Sequence, residues 1–198
     1  METLIEGRAI DADRPFAGSP SEKFADGADG IVIPGAMPVE GFSFQDVAEA
    51  YKTAKELLEA AYLDRSTLLG GHPDAYANLL DPEQRAWFLQ GLVQEKSTRY
   101  EVMSFAPGIV DLVGPIIKVQ GSMSAISAVD AGNRKLYVAV EYRFVYAVRP
   151  KGRKGPVELV MSYVKDRYEF GGIHQTARCD TGFSRPGTTN FPTCCASP

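Results

Sequence analysis

Residues 136–150, LYVAVEYRFVYAVRP, alternate between apolar and polar side chains almost without a break. The odd positions include Glu141 and Arg143, whereas every even position up to 148 is apolar or aromatic. These even positions are Leu136, Val138, Val140, Tyr142, Phe144, Tyr146 and Val148. Because successive side chains of a strand point to opposite faces, the stretch predicts one long strand with an aromatic face and a charged face.

The period of two continues on both sides of this strand. Residues 116–126 and 157–170 alternate in the same way, and residues 100–105 supply one more candidate strand. Within the segment 157–170 every odd position up to Tyr163 is apolar or aromatic, whereas from Val164 onward the apolar side chains occupy even positions. Since a β-bulge inserts one extra residue into a strand, this change of parity predicts a bulge there.

The chain before residue 95 instead has the three-and-four spacing of amphipathic helices. An apolar stripe begins after Ser43, whose side chain can cap the first turn while Asp46 occupies its third position. The stripe consists of Phe44, Val47, Tyr51, Ala54, Leu58 and Ala61. It predicts a helix over residues 43–62. Pro73 and Pro82 each stand at the first position of a shorter helix, behind a possible capping residue.

The two ends of the chain differ from its middle in composition. Residues 1–41 are rich in Pro and Gly and predict an extended arm with a short strand at residues 31–33. Residues 173–198 contain all three cysteines and little hydrophobic periodicity, which is typical of a tail. The sequence therefore predicts one α+β domain over residues 42–172, with helices laid on one face of a curved antiparallel sheet.

Composition argues against several functions. The 198 residues are 44% hydrophobic, as in an ordinary globular protein, and 21 Lys and Arg against 25 Asp and Glu give a net charge of −4. An acidic balance argues against nucleic-acid binding. No glycine motif for phosphates or dinucleotides and no nucleophile-elbow motif is present, so we expect no cofactor. With His72 and His174 as the only histidines, the cysteines show no zinc spacing, and we expect no metal.

The three cysteines favour an oxidising compartment. A bridge from Cys179 to Cys194 or to Cys195 would close a loop of about 15 residues and contribute about 3 kcal/mol to stability. One cysteine would then be left over. The alternative is three unpaired thiols in a frayed terminus. A disulfide would imply an extracytoplasmic location.

Two resemblances extend this interpretation. The order of parts over residues 42–170 resembles the NTF2-like superfamily, in which helices lie in the concave side of a bent sheet. A second resemblance is to uncharacterised exported or membrane-anchored proteins of high-GC Gram-positive bacteria. It is carried by residues 14–34 (RPFAGSPSEKFADGADGIVIP), 68–88 (LLGGHPDAYANLLDPEQRAWF) and 141–150 (EYRFVYAVRP). It implies an extracytoplasmic, membrane-anchored or secreted protein, with an N-terminal anchor ahead of residue 1.

Seven side chains are candidates for the lining of a pocket inside such a fold. They are Tyr51, His72, Trp87, Met123, Tyr142, Tyr146 and Tyr163, and they would hold an apolar small molecule. Core filling by the same aromatic rings is the alternative. Enzymes of the superfamily place an acid–base pair inside the cone, and here only His72 with Asp74 resembles one. A helix start explains both residues without catalysis, so we assign no catalytic residue.

Two functions follow from these patterns. The first is a non-catalytic accessory or assembly domain of the cell envelope, which binds another protein or a second copy of itself through the outer sheet face. Glu141 and Arg143 lie on that face, where we expect a solvated ion pair. The second is a small-molecule-binding or isomerase/dehydratase-type pocket protein. Neither function involves nucleic acid, and membrane contact is expected only through the missing anchor.

Overall fold

The computed structural model describes residues 10–93, 100–130, 132–152 and 155–170, together with the backbone of residues 178 and 179. Helices precede the long strands, as predicted: α1 spans Phe44–Tyr62, α2 Arg65–Leu68, α3 Asp74–Ala77 and α4 Pro82–Val93. The strands are β1 (Ala25–Asp26), β2 (Val110–Asp130), β3 (Asn133–Pro150), β4 (Glu158–Phe170) and β5 (Arg178–Cys179). They form one antiparallel sheet in the order of the sequence. The predicted α+β class is confirmed.

The start of α1 is fixed by Ser43 and Asp46. The Ser43 hydroxyl accepts a hydrogen bond from the Asp46 N–H at 3.2 Å, and the Asp46 carboxylate accepts one from the Ser43 N–H at 2.7 Å. This reciprocal pair satisfies two backbone donors that have no partner within the helix. Hydrogen bonding to Ser43 also lowers the pKa of Asp46. The predicted stripe is buried except for Phe44, which is 56% exposed.

Three long strands make the body of the sheet. β2 pairs with β3 from Val110–Pro150 to Asp130–Asn133, and the turn between them includes Gly132 with φ of 81°. β4 pairs with β3 from Leu136–Phe170 to Val148–Glu158. All the even positions of β3 from 136 to 148 are buried together with the α1 stripe, in what we call the main core. The face that they share is the inner face of the sheet, and the opposite one is the outer face.

The predicted bulge in residues 157–170 is wrong. β4 keeps one register with β3 throughout, and the irregularity lies in β2 between Leu112 and Ile117, where Gly114 has φ of 73°. The parity of β4 changes because its two ends are buried on opposite faces. Leu159 packs in a second core on the outer face, whereas Val164 lies in the main core.

Two short predicted strands are also wrong. Residues 31–33 follow a turn of 3-10 helix, Gly27–Gly30, and the arm's strand lies earlier, at β1. Residues 100–105 form a short turn and an irregular segment. The Met103 N–H donates to the Ala61 carbonyl at 2.9 Å and the Phe105 N–H to the Leu68 carbonyl at 2.8 Å. Because helix ends take up these donors, the segment does not join the sheet.

The N-terminal arm first crosses the outer face at one end of the sheet. Ile10 forms a bridge with Val157, just before β4. Phe16 is then buried on the outer face, and Phe24 packs beside it. The second core consists of Phe16, Val113, Val145, Ala147 and Val157, with Ile10, Phe24 and Leu159 packed against them. Arm and sheet are therefore joined by apolar burial, as side chains from both contribute to one cluster.

The arm then passes round the edge of β2. Its strand β1 pairs with Lys118 and Val119, and the Lys118 ammonium lies 2.6 Å from the Asp26 carboxylate and 3.1 Å from the Phe24 carbonyl. Ile31 follows and is fully buried in the main core. One continuous segment thus contributes to the cores on both faces of the sheet.

Candidate functional site

The inner face brings four of the seven predicted pocket residues into the main core. They are Tyr51, Met123, Tyr142 and Tyr146, and all are buried. Their neighbours include other rings in close contact. Phe144 stacks on Tyr62 with ring centroids 4.7 Å apart, and Phe105 meets Tyr146 edge-on at 5.9 Å. These contacts are typical of a packed aromatic core.

The other three predicted pocket residues lie elsewhere. Tyr163 occupies an odd position of β4, opposite Arg143, and therefore lies on the outer face. Trp87 is 49% exposed on α4, and His72 is exposed ahead of α3. The continuous register of β4 explains the position of Tyr163, because only a bulge would have turned that side chain inward.

The hydroxyl groups of the three tyrosines among these four residues, Tyr51, Tyr142 and Tyr146, have different surroundings. The Tyr146 hydroxyl donates to the Tyr62 carbonyl at 3.0 Å, and the Tyr51 hydroxyl accepts from the Ala125 N–H at 2.8 Å. The Tyr142 hydroxyl is buried and has no hydrogen-bond partner in the described part of the chain. Burial raises the pKa of Tyr142 to about 12 and that of Tyr146 well above its ordinary value. Both phenols therefore stay neutral at physiological pH.

Among the described residues, no carboxyl or imidazole group that could act as a catalytic acid or base is buried. The buried polar residues there are Ser21 and Thr67, so the described main core contains no buried carboxyl or imidazole. The His72 Nδ1 atom lies 2.7 Å from the Asp74 carboxylate, but both side chains are more than half exposed. Pro73 precedes α3 directly at the cap position that the sequence had assigned to His72. A solvated pair lacks the apolar enclosure that tunes catalytic groups.

The outer face is divided into two halves. The arm covers the half nearest Val157, where Val145 and Ala147 are buried beneath it. The half nearest the β2–β3 turn is left uncovered by residues 10–41 of the arm, and we call it the open half. Its side chains, assigned by strand alternation, include Gln120, Ser122, Ser124, Ile126, Ala139, Glu141, Arg143, Tyr163 and Lys165, together with Arg167, Glu169 and the buried Tyr137.

A network of side chains crosses the open half from β3 to β4. The Tyr163 hydroxyl donates to the Glu141 carboxylate at 2.6 Å, and the Lys165 ammonium lies 3.6 Å from the same carboxylate. The Arg143 guanidinium lies over the Tyr163 ring, 5.3 Å from its centroid. The hydrogen bond from Tyr163, helped by Lys165, lowers the pKa of Glu141, and the same bond raises the pKa of Tyr163.

The ion pair expected between Glu141 and Arg143 is replaced by this network. Residues two apart on one strand are separated by about 7 Å, whereas directly opposite residues on neighbouring strands are about 5 Å apart. Glu141 therefore finds its partners on β4, where Lys165 is its register partner. The alternation of residues 157–170 carried this signal, but the bulge prediction obscured it.

Small side chains form the β2 side of the open half. Ser122 and Ser124 are exposed and lie opposite Glu141 and Ala139 of β3. Ile126 follows on the same face and is 40% exposed. The open half thus combines long charged side chains on β3 and β4 with a strip of shorter side chains on β2. The alternation within residues 116–126 indicates this strip in the sequence, but its residue types do not distinguish it as a site.

Other predicted features fall partly outside the described ranges. Cys194, Cys195 and His174 lie outside them, and only the backbone of Cys179 is described, in β5 opposite Tyr168. Within the described residues no three His, Cys, Asp or Glu side chains are grouped to hold a metal ion. In the same part of the chain, no helix has the length and apolar character needed to cross a bilayer. No family model, curated protein or solved structure matches the chain.

Proposed function

We propose that the chain is a non-catalytic protein-binding domain whose contact surface is the open half of the outer face. The observation that carries this proposal is the unequal cover of the two sheet faces. The inner face is buried against α1, whereas the described part of the arm, residues 10–41, covers one end of the outer face. An exposed sheet face of mixed side chains beside a buried one offers a broad, rigid surface for a partner.

The composition of the open half supports this role. Tyr and Arg are enriched in protein interfaces, and Tyr163 and Arg143 lie stacked at the centre of the surface. Exposed apolar side chains flank them, with Ile126 on β2 and Met161 on β4, which is 58% exposed. Such a mixture of rings, guanidinium and apolar flanks is what binding hot spots contain.

The contacts within the network favour binding for a second reason. Glu141 is held by Tyr163 and Lys165, and Arg143 rests on the Tyr163 ring. Side chains that are already ordered lose less rotamer freedom when a partner arrives. The network is therefore suited to recognition, although as an exposed set of charges it contributes little to stability.

The proposal extends to the setting of the domain. We place it in the NTF2-like superfamily and in the cell envelope, as an accessory or assembly module. Support comes from the helix-first order, from helices on one face of an antiparallel sheet, and from the three segments that resemble exported proteins. Ile10 contacts Val157, at the end of the sheet away from the β2–β3 turn.

Site-specific photo-crosslinking tests the proposal. The photoreactive residue p-benzoylphenylalanine is placed at Ser122 or Ser124 in the open half, and at the exposed Glu49 of α1 as a matched control. In cells that produce the protein, the first two variants should form a discrete adduct and the control should not. Mass spectrometry of the adduct separates another protein from a second copy of this chain. Equal adducts from all three variants, or none from Ser122 and Ser124, would contradict the proposal.

One observation favours the second candidate function, a small-molecule-binding or isomerase/dehydratase-type pocket protein. It is the buried Tyr142 hydroxyl, which lies on the face that such a pocket would use. The catalytic version has no comparable support, because the described core contains no buried carboxyl or imidazole group. Binding without catalysis is the part of this alternative that the geometry favours.

A further inference from the structure

Arg143 lies in the open half without an anion of its own. Its guanidinium lies over the Tyr163 ring, and within the described part of the chain it forms no ion pair or hydrogen bond. Glu141, two residues away on the same face, is instead held by Tyr163 and Lys165. The hydrogen bond from Tyr163 is the main reason for the lowered pKa of Glu141, and the charge of Arg143 contributes less than that of Lys165.

The stacking on Tyr163 holds the guanidinium of Arg143 and leaves its donors available. The N–H groups of a guanidinium lie in its plane, so a ring that covers one flat side does not occupy them. The ring itself is fixed, because the Tyr163 hydroxyl donates to the Glu141 carboxylate at 2.6 Å. Arg143 therefore presents an ordered set of donors, and little rotamer freedom remains to be lost when a partner uses them.

A carboxylate is the acceptor that fits this group. Its two oxygens accept two parallel hydrogen bonds from one guanidinium, and such charged hydrogen bonds are about twice as strong as neutral ones. A guanidinium is also more weakly hydrated than an ammonium, so it loses less when an interface closes over it. The chemistry of Arg143 thus suits a carboxylate that a partner brings into the interface.

The charges near Arg143 favour a single carboxylate over a chain of phosphates. Glu141 lies beside it, and Asp130 and Glu169 lie farther toward the β2–β3 turn, where both are paired with Lys135. A nucleic acid along the sheet would bring repeated negative charges against these carboxylates. Alternating signs on a surface are matched by the alternating signs of another protein surface, which gives specificity.

We infer that the partner of the open half is another protein, which places one carboxylate against the Arg143 guanidinium in a bidentate pair. The inference rests on the protein-binding role proposed above and specifies the chemistry of the contact. Gln120 and Ser122 lie opposite Arg143 and Glu141 on β2. Both are uncharged and exposed, so the β2 side of the contact offers no competing anion.

Substitutions at Arg143 test the pairing in the photo-crosslinking variant. In the chain that carries p-benzoylphenylalanine at Ser124, Arg143→Gln should lower the adduct yield about fivefold to thirtyfold, as truncation of an interface hot spot does. Arg85→Gln is the matched control, because it removes the same charge from an exposed position of α4, and it should leave the yield unchanged. Urea denaturation checks that both variants are folded.

The outcomes separate this inference from the role on which it rests. An unchanged yield in a folded Arg143→Gln chain would overturn the carboxylate pairing and leave the protein-binding role intact. An equal loss from Arg85→Gln would also overturn it, because the position of the charge would then not matter. If the parent chain with the crosslinker at Ser124 forms no adduct, the protein-binding role fails and the inference fails with it.

A zero-length coupling identifies the carboxylate directly. Arg143→Lys supplies a primary amine at this position, and a carbodiimide condenses an amine with a carboxylate that is in contact with it. Mass spectrometry should then find an amide between position 143 and a carboxyl group of another protein. An amide to a second copy of this chain, or none at position 143 while Lys165 is coupled, would overturn the inference.

Discussion

The inner and outer faces of the sheet are covered in different ways. On the inner face every even position of β3 from Leu136 to Val148 is buried, with α1 packed against it. On the outer face the arm buries Val145 and Ala147, but leaves Glu141 and Arg143 exposed. The difference indicates a division of roles, because continuous apolar burial stabilises a fold, whereas an exposed ordered surface is available to a partner.

The largest expected effect is the difference in unfolding free energy between a substitution on the inner face and one on the outer face. Phe144→Ala removes a fully buried ring that stacks on Tyr62, and should lower the free energy of unfolding by about 3–5 kcal/mol. Glu141→Ala removes a charge from the exposed network and should cost less than about 1 kcal/mol. Urea denaturation of both variants measures the contrast. Similar losses from the two substitutions would remove the distinction between the faces.

A smaller effect concerns the half of the outer face that the arm covers. Phe16→Ala should lower the free energy of unfolding by about 2–3 kcal/mol, since the ring is buried but belongs to the smaller cluster. Limited proteolysis should then cut the arm faster in this variant, because the second core holds it against Val145 and Val157. If the cutting rate is unchanged, the second core does not hold the arm.

Removing the hydroxyl groups of Tyr142 and Tyr146 on the inner face should change the free energy of unfolding by less. Tyr146→Phe removes the hydroxyl that donates to the Tyr62 carbonyl and should cost about 1–2 kcal/mol in chemical denaturation. Tyr142→Phe removes a hydroxyl that has no hydrogen-bond partner among the described residues and should be neutral or slightly stabilising. A loss in Tyr142→Phe equal to that in Tyr146→Phe would show that the Tyr142 hydroxyl is bonded within the folded protein.

The smallest expected effect is on how the free energy of unfolding depends on pH in alkaline solution. Burial raises the pKa of Tyr142 to about 12, from an ordinary value near 10. Because the unfolded chain releases this proton first, the stabilising contribution is complete below pH 10 and is lost as the pH rises toward 12. The unfolding free energy of the native protein should therefore fall more steeply from pH 9 to 11 than that of Tyr142→Phe. Parallel slopes in urea titrations would argue against a buried neutral phenol.

The inner face could be predicted from the sequence because one periodic signal controls it. Alternation in residues 136–150 fixed which side chains of β3 face α1, and the Ser43–Asp46 pair fixed where α1 begins. The outer face depends on a different element, the arm, which carries no periodic pattern. Burial of Val157 and Leu159 beneath it produced the parity change in β4, and a single strand's pattern cannot reveal which distant segment covers it.

In the candidate site, too, the pattern of one strand predicts which face a side chain lies on, but not its partners on other elements. Glu141 and Arg143 were placed on the outer face from their odd positions, and the structure agrees. Their partners come from the neighbouring strand, so finding Tyr163 and Lys165 required the register of β4. The missing partner of the Tyr142 hydroxyl is a property of the packed core, and no pattern of residue types indicates it.

The most direct test of the account introduces charge into the open half. The double variant Ser122→Arg and Ser124→Arg carries a photo-crosslinker at Gln120, and a control matched in charge carries Gln45→Arg on α1 and Gln90→Arg on α4, both exposed, with the same crosslinker. We predict that both keep the native free energy of unfolding within about 0.5 kcal/mol, as exposed substitutions usually do. We also predict that only the open-half variant loses the adduct. An undiminished adduct in a folded open-half variant would contradict the account.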